Sequence, residues 1–234
     1  MISSATLPGN DIGAARARFF ADVEPVQSQI VLLGAHAESL VRDAVDAFIR
    51  QDTALGRTVV ERDDDLDKWE RNAEIQALHL FSQHQPVASD LRRIGSILRI
   101  LADIERVGDQ AVNLVTLMQR MQATGVAYTD LVDLPRFGHI ATTMVHRVTA
   151  AFQAGDSGLA ESVISMDDEA DIFYKESQRD LRQTMRADAE TVLPGSFLLF
   201  ATHHLERICD HCTSIAERIV YIATGRAADG AHLS

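Results

Sequence analysis

The sequence predicts an all-α fold of two three-helix bundles related by internal duplication, on three observations. Apolar residues recur at helical spacing along nearly the whole chain, with only 5 prolines in 234 residues. Hydrophobic residues make up 46% and aromatics only 6%, which suits packing of Leu, Ile, Val and Ala between helices better than a β-sandwich. The second half also repeats the first. Phe48, Asp52, Leu55, Val59, Asp63, Asp64 and Asp67 match Phe152, Asp156, Leu159, Val163, Asp167, Asp168 and Asp171 at a shift of 104 (63 to 167). Glu105, Arg106 and Asp109 match Glu206, Arg207 and Asp210 at a shift of 101 (105 to 206). The difference places a loss of three residues in the turn between the two matched blocks.

The elements follow in order. Residues 1 to about 10 read as a loose tail. Phe19, Phe20, Val23, Val26, Ile30, Leu33, Leu40, Val41, Val45 and Phe48 support a long first helix from about residue 11 to 51, with a bend near Gly34. Asp52 is placed to cap a second helix, which Pro86 ends by restricting Gln85. The third runs from about Ser89 to Gln122. The stretch from Ala123 to Leu134 is the only extended break and marks a boundary between units at 11–123 and 134–226. A fourth helix covers about residues 135–154, and Gly155-Asp156 turns and caps a fifth that reaches about Asp188. The sixth starts near Pro194-Gly195 and stops at Gly225, beyond which the chain reads as disordered. Such units call for short connections and antiparallel neighbours.

Composition narrows the function. Acidic residues outnumber basic ones 34 to 22, a net charge of −12, so a polyanionic nucleic-acid backbone is an unfavourable partner. The N-terminal MISSATLPGND lacks the apolar core of a secretory signal, and no run approaches a membrane span. Two cysteines, Cys209 and Cys212, are too few for a disulfide framework. The expected compartment is the cytoplasm.

Chemistry concentrates in carboxylates four residues apart. On a helix such residues share a face with Cβ atoms about 5–6 Å apart, so Glu105 with Asp109 and Glu206 with Asp210 are neighbouring pairs. Leu91, Ile94, Leu98 and Leu101 precede Glu105 on the same stripe, and Val112 and Thr116 follow Asp109. The acids therefore interrupt an apolar face. Asp63 with Asp67, and Asp167 with Asp171, repeat the spacing on the preceding helices. Glu70 and Glu74 extend the first of these faces, where the second half has Tyr174 and Gln178. Helices two and three of each unit, if adjacent, set a DxxxD pair opposite an ExxxD pair, a donor set for hard cations. The alternatives are a solvated acidic face, or ion pairs to Arg106 and Arg207.

Asn113, four residues past Asp109, extends the polar face as a ligand or as a hydrogen-bonding support; its counterpart Ser214 is the weaker donor. Asp103 and His204 match each other but lie about 160° from the Glu face. Cys209 and Cys212 match Gly108 and Ala111, which favours small residues at a close helix contact over a redox or thiolate-metal pair. No glycine-rich phosphate loop, GxSxG, HExxH, Glu-x-x-His pair or EF-hand loop is present.

ADIERVGDQAVN (102–113), HHLERICDHCTSIAERIVYIATG (203–225) and HQPVASDLRRIGSILRI (84–100) together resemble the PhoU family of phosphate-uptake regulators, over about residues 16–226. The resemblance implies two three-helix bundles. It also implies metal ions, often iron clusters, with manganese, magnesium or zinc as alternatives. Carried over, the ligand motifs fall on Asp63, Asp67, Glu105, Asp109, Asp167, Asp171, Glu206 and Asp210. It further implies a cytoplasmic, homodimeric accessory protein that represses phosphate-starvation signalling through the transporter ATPase PstB and the sensor kinase PhoR. Ser214, where the family commonly repeats the Asn, sets the two halves apart. The competing readings are a carboxylate-bridged metalloenzyme acting on phosphoesters or oxygen, and a metal-free helical scaffold.

Overall fold

The computed structural model describes residues 9–84, 86 and 88–226. Among these, the chain forms six α-helices and one short 3₁₀ turn, with no strand: α1 (Gly9–Arg50), α2 (Thr53–His84), α3 (Ala88–Ala123), α4 (Leu134–Ala154), α5 (Ser157–Ala187) and α6 (Val192–Thr224), the turn being Ala189–Thr191. The expectations for the N-terminal tail, Gln85 and the last eight residues lie outside the described residues.

The two halves turn their first corner in the same way. Gln51 (φ 56°) and Gly155 (φ 62°) both adopt the left-handed conformation, and an aspartate follows each. Asp52 Oδ1 accepts from the backbone N–H groups of Ala54 and Leu55 at 2.9 and 3.0 Å. Asp156 Oδ1 accepts from those of Gly158 and Leu159 at 2.9 and 3.1 Å. Each cap satisfies two of the N–H groups that a helix start leaves without partners. Asp133 caps α4 by accepting from Arg136 N at 3.0 Å, and Gly225 (φ 72°) closes α6.

α1, α2 and α3 pack as one bundle and α4, α5 and α6 as the other, and the bundles join through α1 against α4 and α3 against α6. A single apolar core results, in which Ile30, Leu33, Leu40 and Phe48 of the first half and Phe137, Leu198 and Ile208 of the second are fully buried. α1 is continuous through Gly34. Gly34 lies against Thr149 of α4, and its repeat-mate Gly138 lies against Val45 of α1. The shift of 104 carries Gly34 to 138 and Val45 to 149, so these two contacts are images of each other. The α3–α6 interface behaves alike: Asp103 pairs with His211, and Gln110 with His204, exchanged by the shift of 101. The chain thus forms with itself the self-complementary contact that two-fold dimers make between subunits.

Candidate metal centres

Gly108 sets the first cluster. A Cβ there would run into the carboxylate of Asp63 and into Leu66, so its absence lets α2 approach α3 at the level of the acids. Asp63 and Asp67 of α2 then stand by Glu105 and Asp109 of α3. Asp63 Oδ1 is buried and accepts no hydrogen bond. Burial, then the charges of Asp67, Asp109, Glu105 and Asp64, push its carboxyl up to about 7. Glu105 is raised by burial and by Asp109, against the pull of Arg106. Glu70 is raised by burial, Glu74 and Glu105, so the acidic face continues up α2.

The second cluster repeats this arrangement with Asp167 and Asp171 of α5 and Glu206 and Asp210 of α6, which line one cleft of about 440 Å³. Burial and then Asp210 push Asp167 up to about 6, while a hydrogen bond from Thr213 holds it down. Thr213 matches Val112 in the first half, which has no hydroxyl to offer, and there Asp63 is left without a donor. Burial and Asp210 push Glu206 up to about 7, against Arg207. Its Oε2 is buried without a hydrogen bond, with His203 Nδ1 3.4 Å away.

Basic side chains at the rim take part of the charge. Arg106 reaches Asp109 at 2.9 Å and Glu105 at 3.3 Å, Arg71 reaches Asp67 at 3.5 Å, and Lys175 reaches Asp171 at 2.5 Å. These cations are largely exposed and stabilise little. Among the described residues no three Asp, Glu, His or Cys side chains are arranged to hold a metal ion as they stand. The donor set still fits a hard cation. Each cluster is all-oxygen at its acids and carries a buried carboxylate oxygen without a hydrogen bond.

Other candidates lie elsewhere. Asn113 is exposed in a separate groove with Thr116, Arg120, Phe197 and Phe200, because four residues advance a helix about 40° past a full turn and two such steps carry it about 80° from Glu105. His204 lines that same groove, away from the acids, and its Nδ1 lies 2.8 Å from Gln110 Oε1. Burial and His203 push its imidazole down to about 4. Cys209 and Cys212 are free and fully buried, and burial raises both thiols, as packing residues should be. The sequence reading passed over Thr213, and it set His211 beside His203 and His204 as tempting ligands without singling it out. Thr213 was reachable from the repeat register, by asking which positions of one half differ chemically from their mates.

The raised carboxyls predict an inverted pH dependence for chelator-stripped protein. A group held above its unfolded pKa contributes stability that is complete below the unfolded value, near 4, and lost as pH rises through the folded value. For Asp63 and Glu206 that window runs from about 4 to about 7. The melting temperature of stripped protein should therefore fall between pH 5 and pH 8. Asp63, discounted for solvent screening, contributes about 2 kcal/mol of that loss. Asp63→Asn should flatten the slope, and an unchanged slope in that variant would refute the assignment.

The PhoU domain sequence model matches the chain at residues 30–118 and 134–219, one copy in each bundle. The chain is 34% identical over 208 residues to a phosphate-specific transport system accessory protein PhoU homolog of Pseudomonas aeruginosa, covering 89% of this chain and 86% of the relative. It is 33% identical over 212 residues to the homolog of Rhizobium meliloti, covering 91% and 90%. The crystal structure of PhoU from Pseudomonas aeruginosa superposes with a TM-score of 0.84 at 34% identity, covering 89% of this chain and all of that one. PhoU from Streptococcus pneumoniae, at 23% identity and a TM-score of 0.81, shares the fold.

Proposed function

The chain belongs to the PhoU family, and from that premise we propose that it is an accessory protein of a phosphate-specific transport system, acting as a metal-loaded helical adaptor without catalytic activity. Its place is the cytoplasmic side, as a homodimer that engages the transporter ATPase PstB and the sensor kinase PhoR and represses the phosphate-starvation response. The described helices include none long and apolar enough to cross a membrane, so contact with a membrane system falls to its partners.

The observation that carries the metal reading is the coming together of Asp63, Asp67, Glu105 and Asp109, and again of Asp167, Asp171, Glu206 and Asp210, around carboxylate oxygens that have no hydrogen bond. A bound cation supplies charge neutralisation and a crosslink between two helices of each bundle. The chain's own part is to hold α2 against α3 at Gly108, and to present the acids on a face that Arg71, Arg106 and Lys175 border.

Elemental analysis of protein purified without chelator, together with a pull-down against PstB, tests the proposal. Bound transition metal and retention of the ATPase are expected. Metal-free protein that shows no thermal shift with iron, manganese, zinc or magnesium supports the scaffold reading, in which rim ion pairs alone balance the acids. Failure to retain PstB in either form removes the adaptor role.

A further inference from the structure

His211 of α6 is a largely buried imidazole that meets a carboxylate of the opposite repeat. Its side chain is only 13% exposed, and its Nδ1 lies 3.1 Å from Asp103 Oδ1. An ionised carboxylate only accepts, so Nδ1 carries the proton. The tautomer is then fixed, and in the neutral ring Nε2 keeps its lone pair. That Nε2 is buried and has no hydrogen-bond partner. The ring lines the cleft of the second cluster together with Asp167, Asp171, Glu206 and Asp210. A carboxylate behind one nitrogen and an unsatisfied second nitrogen, on a ring that lines an acidic cleft, is how histidine is prepared as a metal ligand.

The internal symmetry supplies a control within the same chain. The image of Asp103–His211 is His204–Gln110, where an imidazole stands in the place of Asp103, an amide stands in the place of His211, and the ring meets an amide oxygen instead of a carboxylate. His204 lines a groove with Asn113, Thr116, Leu117, Phe197 and Phe200, with no acid among its lining. Duplication therefore delivered the same cross-repeat contact twice, and only one copy has both a carboxylate behind the ring and an acidic cleft around it.

We propose that His211 is a nitrogen ligand of the cation held by the second cluster, positioned by Asp103 from the opposite repeat. The inference rests on the metal-binding reading above and adds to it. The two centres become chemically different: one all-oxygen, the other mixed, with the affinity expected of an imidazole for transition metals over magnesium or calcium. Asp103 lies on α3 and the ligands on α5 and α6, so a cation held through His211 also ties one bundle to the other through the Asp103–His211 contact.

The test uses full-length protein stripped with chelator, loaded with Mn²⁺ and studied by pulsed electron paramagnetic resonance, with Mn²⁺ affinity from titration. An imidazole nitrogen coupling is expected in the unmodified chain. It should vanish in His211→Gln, which installs the residue its mate position already has, and persist in His203→Gln, which removes the other imidazole near Glu206. Asp103→Asn should keep the coupling and weaken Mn²⁺ binding at this centre about tenfold or more. Mn²⁺ bound without nitrogen coupling, or with coupling unchanged in His211→Gln, overturns the role of His211 and leaves the metal reading standing. Unchanged affinity in Asp103→Asn overturns the positioning role. No Mn²⁺ binding by the unmodified chain overturns both readings together.

Discussion

Glu105→Ala combined with Asp109→Ala is expected to leave metal at the second cluster only, and to cost the metal-loaded protein about 10 °C in melting temperature. The two residues supply all of the α3 acids that face Asp63 and Asp67 in the first cluster. A cation that binds only the folded chain stabilises it by about 4 kcal/mol when present at a thousand times its Kd. For a chain of this size each kcal/mol moves the midpoint by about 2–4 °C. The sign should reverse in stripped protein, because Asp63 then loses two of the charges that repel it. A double variant that melts earlier when loaded and no earlier when stripped carries the signature. Unchanged metal stoichiometry by elemental analysis would sink the assignment of these ligands.

The second large effect is structural and needs no metal. Gly138→Leu should destabilise the chain by about 3 kcal/mol, again close to 10 °C. A Cβ at Gly138 would lie 2.6 Å from Val45 Cγ1 and 3.0 Å from Cγ2, closer than side-chain atoms pack. Val45 is itself buried in α1, so it has nowhere to retreat, and α4 must move off α1. Gly34→Leu, at the image position against Thr149, should do the same through the same interface. Gly95→Ala is the control. Nothing lies within 4 Å of a Cβ there, and replacing a mid-helix glycine by alanine should stabilise by about 0.5–1 kcal/mol. Equal effects at positions 95 and 138 would show that backbone propensity, not the helix crossing, governs both.

Gly34 also shows what a local reading of sequence leaves out. A glycine inside a long apolar pattern reads as a bend, since glycine weakens helices. In the folded chain the helix continues, and the missing side chain serves a neighbour more than a hundred residues away in sequence. Gly108 makes the same point at the site, where it admits Asp63. Asn113 shows a geometric effect: a face drawn by steps of four drifts around the helix, and two steps from Glu105 reach the residue that lines a different groove.

The sequence by itself determined the helices, their caps at Asp52, Asp156 and Gly225, and the duplication, because helical periodicity, Asp side chains at helix starts and a fixed residue shift are local or linear properties. It also determined which carboxylates fall four apart on each helix. Only the tertiary structure decided that the DxxxD and ExxxD pairs meet across helices, that Asp63 and Glu206 are the acids deprived of hydrogen bonds, and that Asp103 of one repeat stands behind His211 of the other. These depend on which helix faces pack together and how closely. That is set by the whole apolar core and by two glycines at its crossing, and no single stretch of chain encodes it.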